Sequence, residues 1–156
     1  MDLGIALPVA VSNFIFNEDQ KVLFFSRDGE CRWRLMGGQL ERNETIPQCI
    51  ERESREELGA VKCRFLDVLD AHVFHYGGRE PILSIFCLLE YESGEIETGD
   101  DMAGYSYRWF SADELKNADV ECPYQPELIE KAYHCFRQFK SSPELRFLKF
   151  RWRDLT

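Results

Sequence analysis

The sequence predicts an α/β (α+β) sandwich, a mixed β-sheet with helices packed on it. Three observations carry that prediction. Apolar strand-like runs come first, in "PVAVSNFIF" and "KVLFFSR". Two segments, 46–58 and 126–140, place apolar residues at helical spacing. Further strand-like runs lie between and after them. The 156 residues suit one domain with a real core. Apolar residues make up 44% and charged residues 30%, an ordinary globular composition. The 12 phenylalanines suit a core containing strands.

The elements follow in order. Residues 8–16 and 21–27 form two strands around the polar turn "NEDQ". "RWRL" (32–35) is a short strand running into Gly37 and Gly38, with a loop after it. Thr45 and Gln48 form a T-x-x-Q capping box, so a helix starts at 46. Pro47 sits in its first turn, where a missing N–H costs little. Gly59 stops it after Leu58. Residues 61–76 form a long or bent strand, Gly77-Gly78 turns it, and 81–91 returns as a buried strand. "YSYRWF" (105–110) alternates as a strand does, and "SADELK" opens a short helix with a second capping box. In "PELIEKAYHCFRQFK" (126–140), Leu128, Ala132, Cys135 or Phe136, and Phe139 mark the buried face.

Charge and cysteine usage exclude some classes. The net charge is −9, which argues against stable binding to a nucleic-acid backbone. A phosphorylated substrate stays open, because bound cations invert a local field. Residues 137–156 carry six Lys or Arg against two acids. The six cysteines form no C-x-x-C pair, no zinc spacing appears, and no apolar run reaches membrane-spanning length. With no signal peptide at the start, reduced thiols in a cytoplasmic protein are the expectation.

The helix at 46–58 is unusual. On a wheel of about 100° per residue with Ile46 at zero, Ile50 lies at about +40° and Cys49 at about −60°. Ala60 joins this stripe if the last turn continues. Glu53 falls at about −20° and Glu57 at about +20°, the centre of the stripe, with Glu56 on its edge. Buried carboxylates are costly unless paired or metal-bound. One reading is a solvated acidic face with i,i+4 pairs such as Arg52–Glu56. The other is a hard-cation site, because Mg²⁺ takes carboxylate oxygens together with substrate phosphates. The wheel leaves the two level.

Spacing separates them. From Gly38 the chain runs G-x5-E-x7-R-E-x-x-E-E-x-G, through Gly38, Glu44, Arg52, Glu53, Glu56, Glu57 and Gly59. This pattern resembles the Nudix box, the signature of the Nudix hydrolase (MutT-like) superfamily. The resemblance implies a Nudix α/β/α sandwich with a mixed β-sheet and a loop–helix catalytic motif. It implies hydrolysis of a nucleoside diphosphate linked to another group. Mg²⁺ or Mn²⁺ would lie between Glu53, Glu56, Glu57 and the pyrophosphate, with the Gly37 carbonyl as an extra ligand. Arg52 would hold the acids in place and Glu44 would brace the loop. Ser54 and Ala60 stand where aliphatics are usual, Asn43 where glycine is common and Met36 where proline is frequent. None of these removes a ligand. In many relatives a further carboxylate precedes the Trp of the last strand. Here Asp100 and Asp101 lie upstream of Trp109, in a loop that either brings one of them in or is simply acidic.

Outside the box the signal thins. Trp33, Phe74 and Tyr76 either stack on a base or belong to the core. Arg34, Arg79 and Arg108 are candidates for distal phosphates. His72 and His75 fit structural roles better than that of a base. The domain boundary falls at 140: residues 1–140 form the hydrolase domain. The basic, aromatic extension 141–156 packs on the domain or on a second subunit, as in a homodimer. The substrate expectation is a nucleotide-type small molecule. A nucleoside triphosphate comes first, and a nucleotide sugar or ADP-ribose is the alternative. A Nudix-fold regulatory domain without turnover is the reading from another class.

Overall fold

Two apolar strands around a polar turn open the fold. Strands β1 (Val9–Phe16) and β2 (Val22–Arg27) are joined at Asn17–Lys21, where the Lys21 N–H donates to Asn17 Oδ1 at 3.0 Å and Gln20 takes a positive φ of 58°. The computed structural model describes residues 6–75, 79–120 and 126–142, without the side chain of Asp101. The readings of Tyr76, of the Gly77-Gly78 turn and of the tail from 143 lie outside those residues.

The chain continues through β3 (Arg32–Trp33), β4 (Met36–Gln39), α1 (Ile46–Leu58), β5 (Lys62–Phe74) and β6 (Ile82–Ser93). After a single 3-10 turn at Asp100–Met102 come β7 (Tyr105–Phe110), α2 (Ala112–Leu115), β8 (Asp119–Val120) and α3 (Pro126–Ser141). The main sheet runs β5-β6-β1-β2-β7. β1 and β6 are parallel, and the other neighbours antiparallel, so the sheet is mixed as expected. β5 is the bent strand, with three register shifts against β6.

The stretch 32–39 differs from its sequence reading. One strand running into a loop is replaced by two short strands. β3 pairs with β8, and β4, which contains Gly37 and Gly38, pairs with β1 from Ala10↔Gln39 to Asn13↔Met36. The glycines allow this: a Cβ on Gly37 would lie 2.0 Å from the Val11 carbonyl oxygen. One edge of β1 is therefore shared. Its first half pairs with β4, and Phe16 pairs with Val22 of β2, so the sheet forks beside Asn13.

Strand alternation sorts the side chains into two layers. Phe14, Phe16, Phe24, Phe86 and Phe110 face α3, meeting Leu128, Ala132, Tyr133, Phe136 and Phe139. Phe16 stacks on Phe136 at 4.5 Å between centroids, and the Tyr133 hydroxyl donates to the Phe110 carbonyl at 2.6 Å. Phe136 rather than Cys135 completes this helix face, since Cys135 is only half-buried. Val11, Ile15, Leu23, Phe25, Cys87 and Leu89 face α1, meeting Cys49, Ile50 and Leu58. Helix, sheet and helix make the α/β/α sandwich. Among the described residues, no helix is long and apolar enough to cross a membrane.

Candidate active site

The ends of α1 are set by its own sequence. The Gln48 N–H donates to Thr45 Oγ1 and the Thr45 N–H to Gln48 Oε1 at 2.9 Å, a complete capping box. Pro47 lies in the first turn and Gly59, at φ 75°, closes the helix. Asn43 adopts φ 69°, the left-handed conformation that its side chain tolerates. The helix buries Cys49, Ile50, Glu53, Ser54 and Leu58. The wheel placed Glu53 correctly: it is 8% exposed. Glu57 is half-buried and Glu56 exposed. Ala60 leaves the stripe and is exposed, because the helix has already ended. Ser54, which stands where an aliphatic is usual, is buried.

Arg52 joins the acids. Its Nε and Nη2 grip both Glu44 oxygens at 2.9 and 3.0 Å, a bidentate pair. Nη1 reaches Glu53 at 2.7 Å and Glu56 at 3.2 Å, and Nη2 also donates to the Gln39 carbonyl at 2.9 Å. One guanidinium thus ties three carboxylates to the loop. The hydrogen bonds from Arg52, with one from the Glu41 N–H, hold Glu44 down at about 2. The same pairing, with Glu44 first and Glu53 next, pushes the Arg52 pKa well up. The i,i+4 pair Arg52–Glu56 of the acidic-face reading exists, but inside this larger clasp.

The glycine pair of β4 lies against the acids. A Cβ on Gly38 would fall 2.0 Å from Glu53 Oε1, so only glycine leaves room for that carboxylate. The Gly37 N–H donates to Glu57 Oε2 at 3.2 Å. Cys49 points its thiol at the Gln39 carbonyl, 3.7 Å away, and burial pushes that thiol up to about 12. It is neutral packing material at ordinary pH. Among the described residues, no three His, Cys, Asp or Glu side chains converge as a preformed metal cluster, and Arg52 bonds to Glu44, Glu53 and Glu56. The donor chemistry still fits a divalent cation: hard carboxylate oxygens on one helical turn, with Glu53 in the space that Gly38 leaves.

The remaining candidates are dispersed. Asp100 is exposed in the 3-10 turn, next to Gly99, whose missing Cβ would meet the Glu56 carbonyl at 2.4 Å. Met102, in the same turn, is buried in the α1 layer, so the turn lies against the end of α1. The Asp101 side chain is outside the described residues. Trp33 packs edge-on against Phe110, and Phe74 edge-on against Phe86, both in the α3 layer. Arg34 donates to Glu30 at 3.1 Å and to the Tyr105 hydroxyl at 3.4 Å. Arg79 and His75 are exposed. His72 pairs with Asp70 at 3.5 Å, and Arg108 with Glu114 at 2.8 Å.

Two features escaped the sequence reading. Arg27 and Arg34 both lie over the Tyr105 ring, at 5.5 and 5.6 Å. Asn13 is fully buried on the α1 face, with neither amide atom hydrogen-bonded. A signal for the second was present, since Asn13 is the polar residue at an inward position of "PVAVSNFIF".

Comparison with known proteins extends the box to the whole fold. The family model of the NUDIX domain matches residues 6–132. A nucleoside triphosphatase NudI from Klebsiella pneumoniae (strain 342) is 28% identical over 107 residues, 64% of this chain and 76% of that relative. The MutT protein from Methanosarcina mazei Go1 superposes with a TM-score of 0.66 at 19% identity, over 86% of this chain and 99% of its own. An ADP-ribose pyrophosphatase from Streptococcus suis 89-1591 gives 0.66 at 18% identity, over 85% and 93%. At such identities the two structures speak for the fold alone.

Proposed function

This chain belongs to the NUDIX domain family and is a hydrolase of that family, and on that premise we propose that it is a Mg²⁺- or Mn²⁺-dependent pyrophosphohydrolase. Its substrate on this reading is a nucleoside diphosphate linked to another group, a nucleoside triphosphate before any other. One observation carries the proposal: Glu53, Glu56 and Glu57 occupy one turn of α1 against the Gly37-Gly38 strand, with Arg52 clasping Glu44, Glu53 and Glu56.

Each residue has a role on this reading. Glu53, Glu56 and Glu57 hold the cation, with the Gly37 carbonyl beside them. A cation held there would neutralise charge at the pyrophosphate and lower the pKa of an attacking water. Arg52 keeps Glu53 and Glu56 in register and remains charged at any working pH. Glu44 anchors Arg52 to the loop and stays ionised. Gly38 leaves the space Glu53 occupies, and the Gly37 N–H orients Glu57. One of the glutamates, or an aspartate of the 100–101 turn, removes the proton from the attacking water.

The nucleoside triphosphatase relative at 28% identity supports the triphosphate. Nucleotide sugars and ADP-ribose stand as the alternative. The non-catalytic reading has less support, because every acid of the box is kept. On this reading the catalytic unit is residues 1–140. Product analysis with Mg²⁺ tests the reading. Nucleoside monophosphate plus pyrophosphate marks a triphosphate substrate, and two monophosphate esters mark a nucleotide sugar. Equal rates for wild type and Glu57→Gln would sink the metal-site assignment.

A further inference from the structure

The Asn13 side chain is completely buried, and neither its nitrogen nor its oxygen has a hydrogen-bond partner. Its surroundings are apolar. Val11 and Ile15 flank it on the same face of β1, and its partners across the ladders are Met36 of β4 and Cys87 of β6. A leucine or valine would complete this layer, and an amide left without partners destabilises the fold. A buried polar group of this kind asks for a specific explanation.

Its position offers one. Asn13 pairs with Met36, and the preceding Ser12 pairs with Gly37. The Gly37 N–H donates to the Glu57 carboxylate. Asn13 therefore lies diagonally across the β1–β4 ladder from Gly37, whose N–H meets Glu57 on the outer edge of β4. It faces the α1 side, at the fork where β4 and β2 share one edge of β1. We propose that Asn13 is a positioning residue of the cation site. Its amide completes its hydrogen bonds in the loaded state, to the polar shell around Glu57, and so fixes that carboxylate. The inference rests on the metal-dependent reading above, and concerns a residue outside the box.

The test separates the two. Mn²⁺ affinity is measured by titration calorimetry for wild type, Glu57→Gln and Asn13→Leu, with thermal unfolding of each in the absence of metal. Asn13→Leu is expected to be at least as stable as wild type without metal, because it removes an unpaired amide. It is expected to bind Mn²⁺ about 10-fold more weakly, the size usual for groups that orient a ligand. In wild type, the Asn13 side-chain amide protons should shift on Mg²⁺ titration by NMR, a readout that needs no variant. Unchanged Mn²⁺ affinity in Asn13→Leu, or no amide shift while wild type binds the ion, overturns the role of Asn13 alone. If wild type binds neither ion, the metal-dependent reading falls and takes this one with it.

Discussion

The two faces of the sheet solve different problems. The α3 face is aromatic, built from five phenylalanines of the sheet against Phe136, Phe139 and Tyr133. Its Tyr133 hydroxyl and Glu90 carboxylate have found partners, while the Arg64 Nε has no hydrogen bond. The Tyr133 hydroxyl bonds to a backbone carbonyl, and Glu90 bonds to Lys140 at 2.9 Å and to Arg64. The buried residues of the α1 face are mainly aliphatic and sulfur-containing, with Phe25 among them. It holds the buried Glu53, the orphaned amide of Asn13 and the orphaned hydroxyl of Ser54. One face stores stability and the other carries unresolved polarity. A protein with a rigid aromatic layer on one side can tolerate groups on the other that are useful only when something is bound.

The contrast can be broken in order of size. Phe136→Ala on the α3 face should cost about 4 kcal/mol of stability, measured by denaturant unfolding, because a stacked, fully buried ring is lost. Turnover per folded molecule should hold. Glu53→Gln on the α1 face should do the opposite, lowering kcat by about 10²-fold with little change in Tm. A large loss of stability there would mean that Glu53 is chiefly a structural partner of Arg52. Glu90→Gln tests a polar group on the stable face. Burial works to raise its pKa, and the bonds from Lys140 and Arg64 outweigh that and keep it low. The substitution should cost about 2 kcal/mol with activity intact.

The smallest effect is on pH. Glu44 is held at about 2 against an ordinary value of 4.5. A depressed carboxylate stabilises the fold fully above its unfolded value and loses that contribution as pH falls through the folded one. The Tm gap between wild type and Glu44→Gln should therefore be flat above pH 4.5 and close towards pH 2. A gap that persists at the acid end would show that Arg52 does not depend on the Glu44 charge.

The sequence was a good guide wherever local chemistry decides. Both capping boxes formed as their spacing implied, and the helix ended at Gly59. Glu53 lies where periodicity put it. The failures needed tertiary information. Splitting 32–39 into β3 and β4 depends on partners far along the chain, Val120 for Trp33 and Val11 for Gly38. Arg52, which the box spacing put among the acids, reaches four groups, Glu44, Glu53, Glu56 and the Gln39 carbonyl, and helix periodicity alone does not give that reach. Trp33 and Phe74, left between base stacking and the core by the sequence, are partly buried against the α3 layer.

The match of α1 to β4 works like a vernier. Cys49, Glu53 and Glu57 meet Gln39, Gly38 and Gly37 in turn. From first to last, the helix advances about 12 Å while the strand advances about 7 Å. The two scales do not agree, so side chains must absorb the difference. Helical side chains lean towards the N-terminus, and Glu57 leans back to reach Gly37. The two carboxylates thereby converge from Cα positions one turn apart onto adjacent glycines. An aspartate at 57 would keep the charge and lose the reach. The mismatch of two regular spacings, rather than any single contact, sets how long each acid has to be.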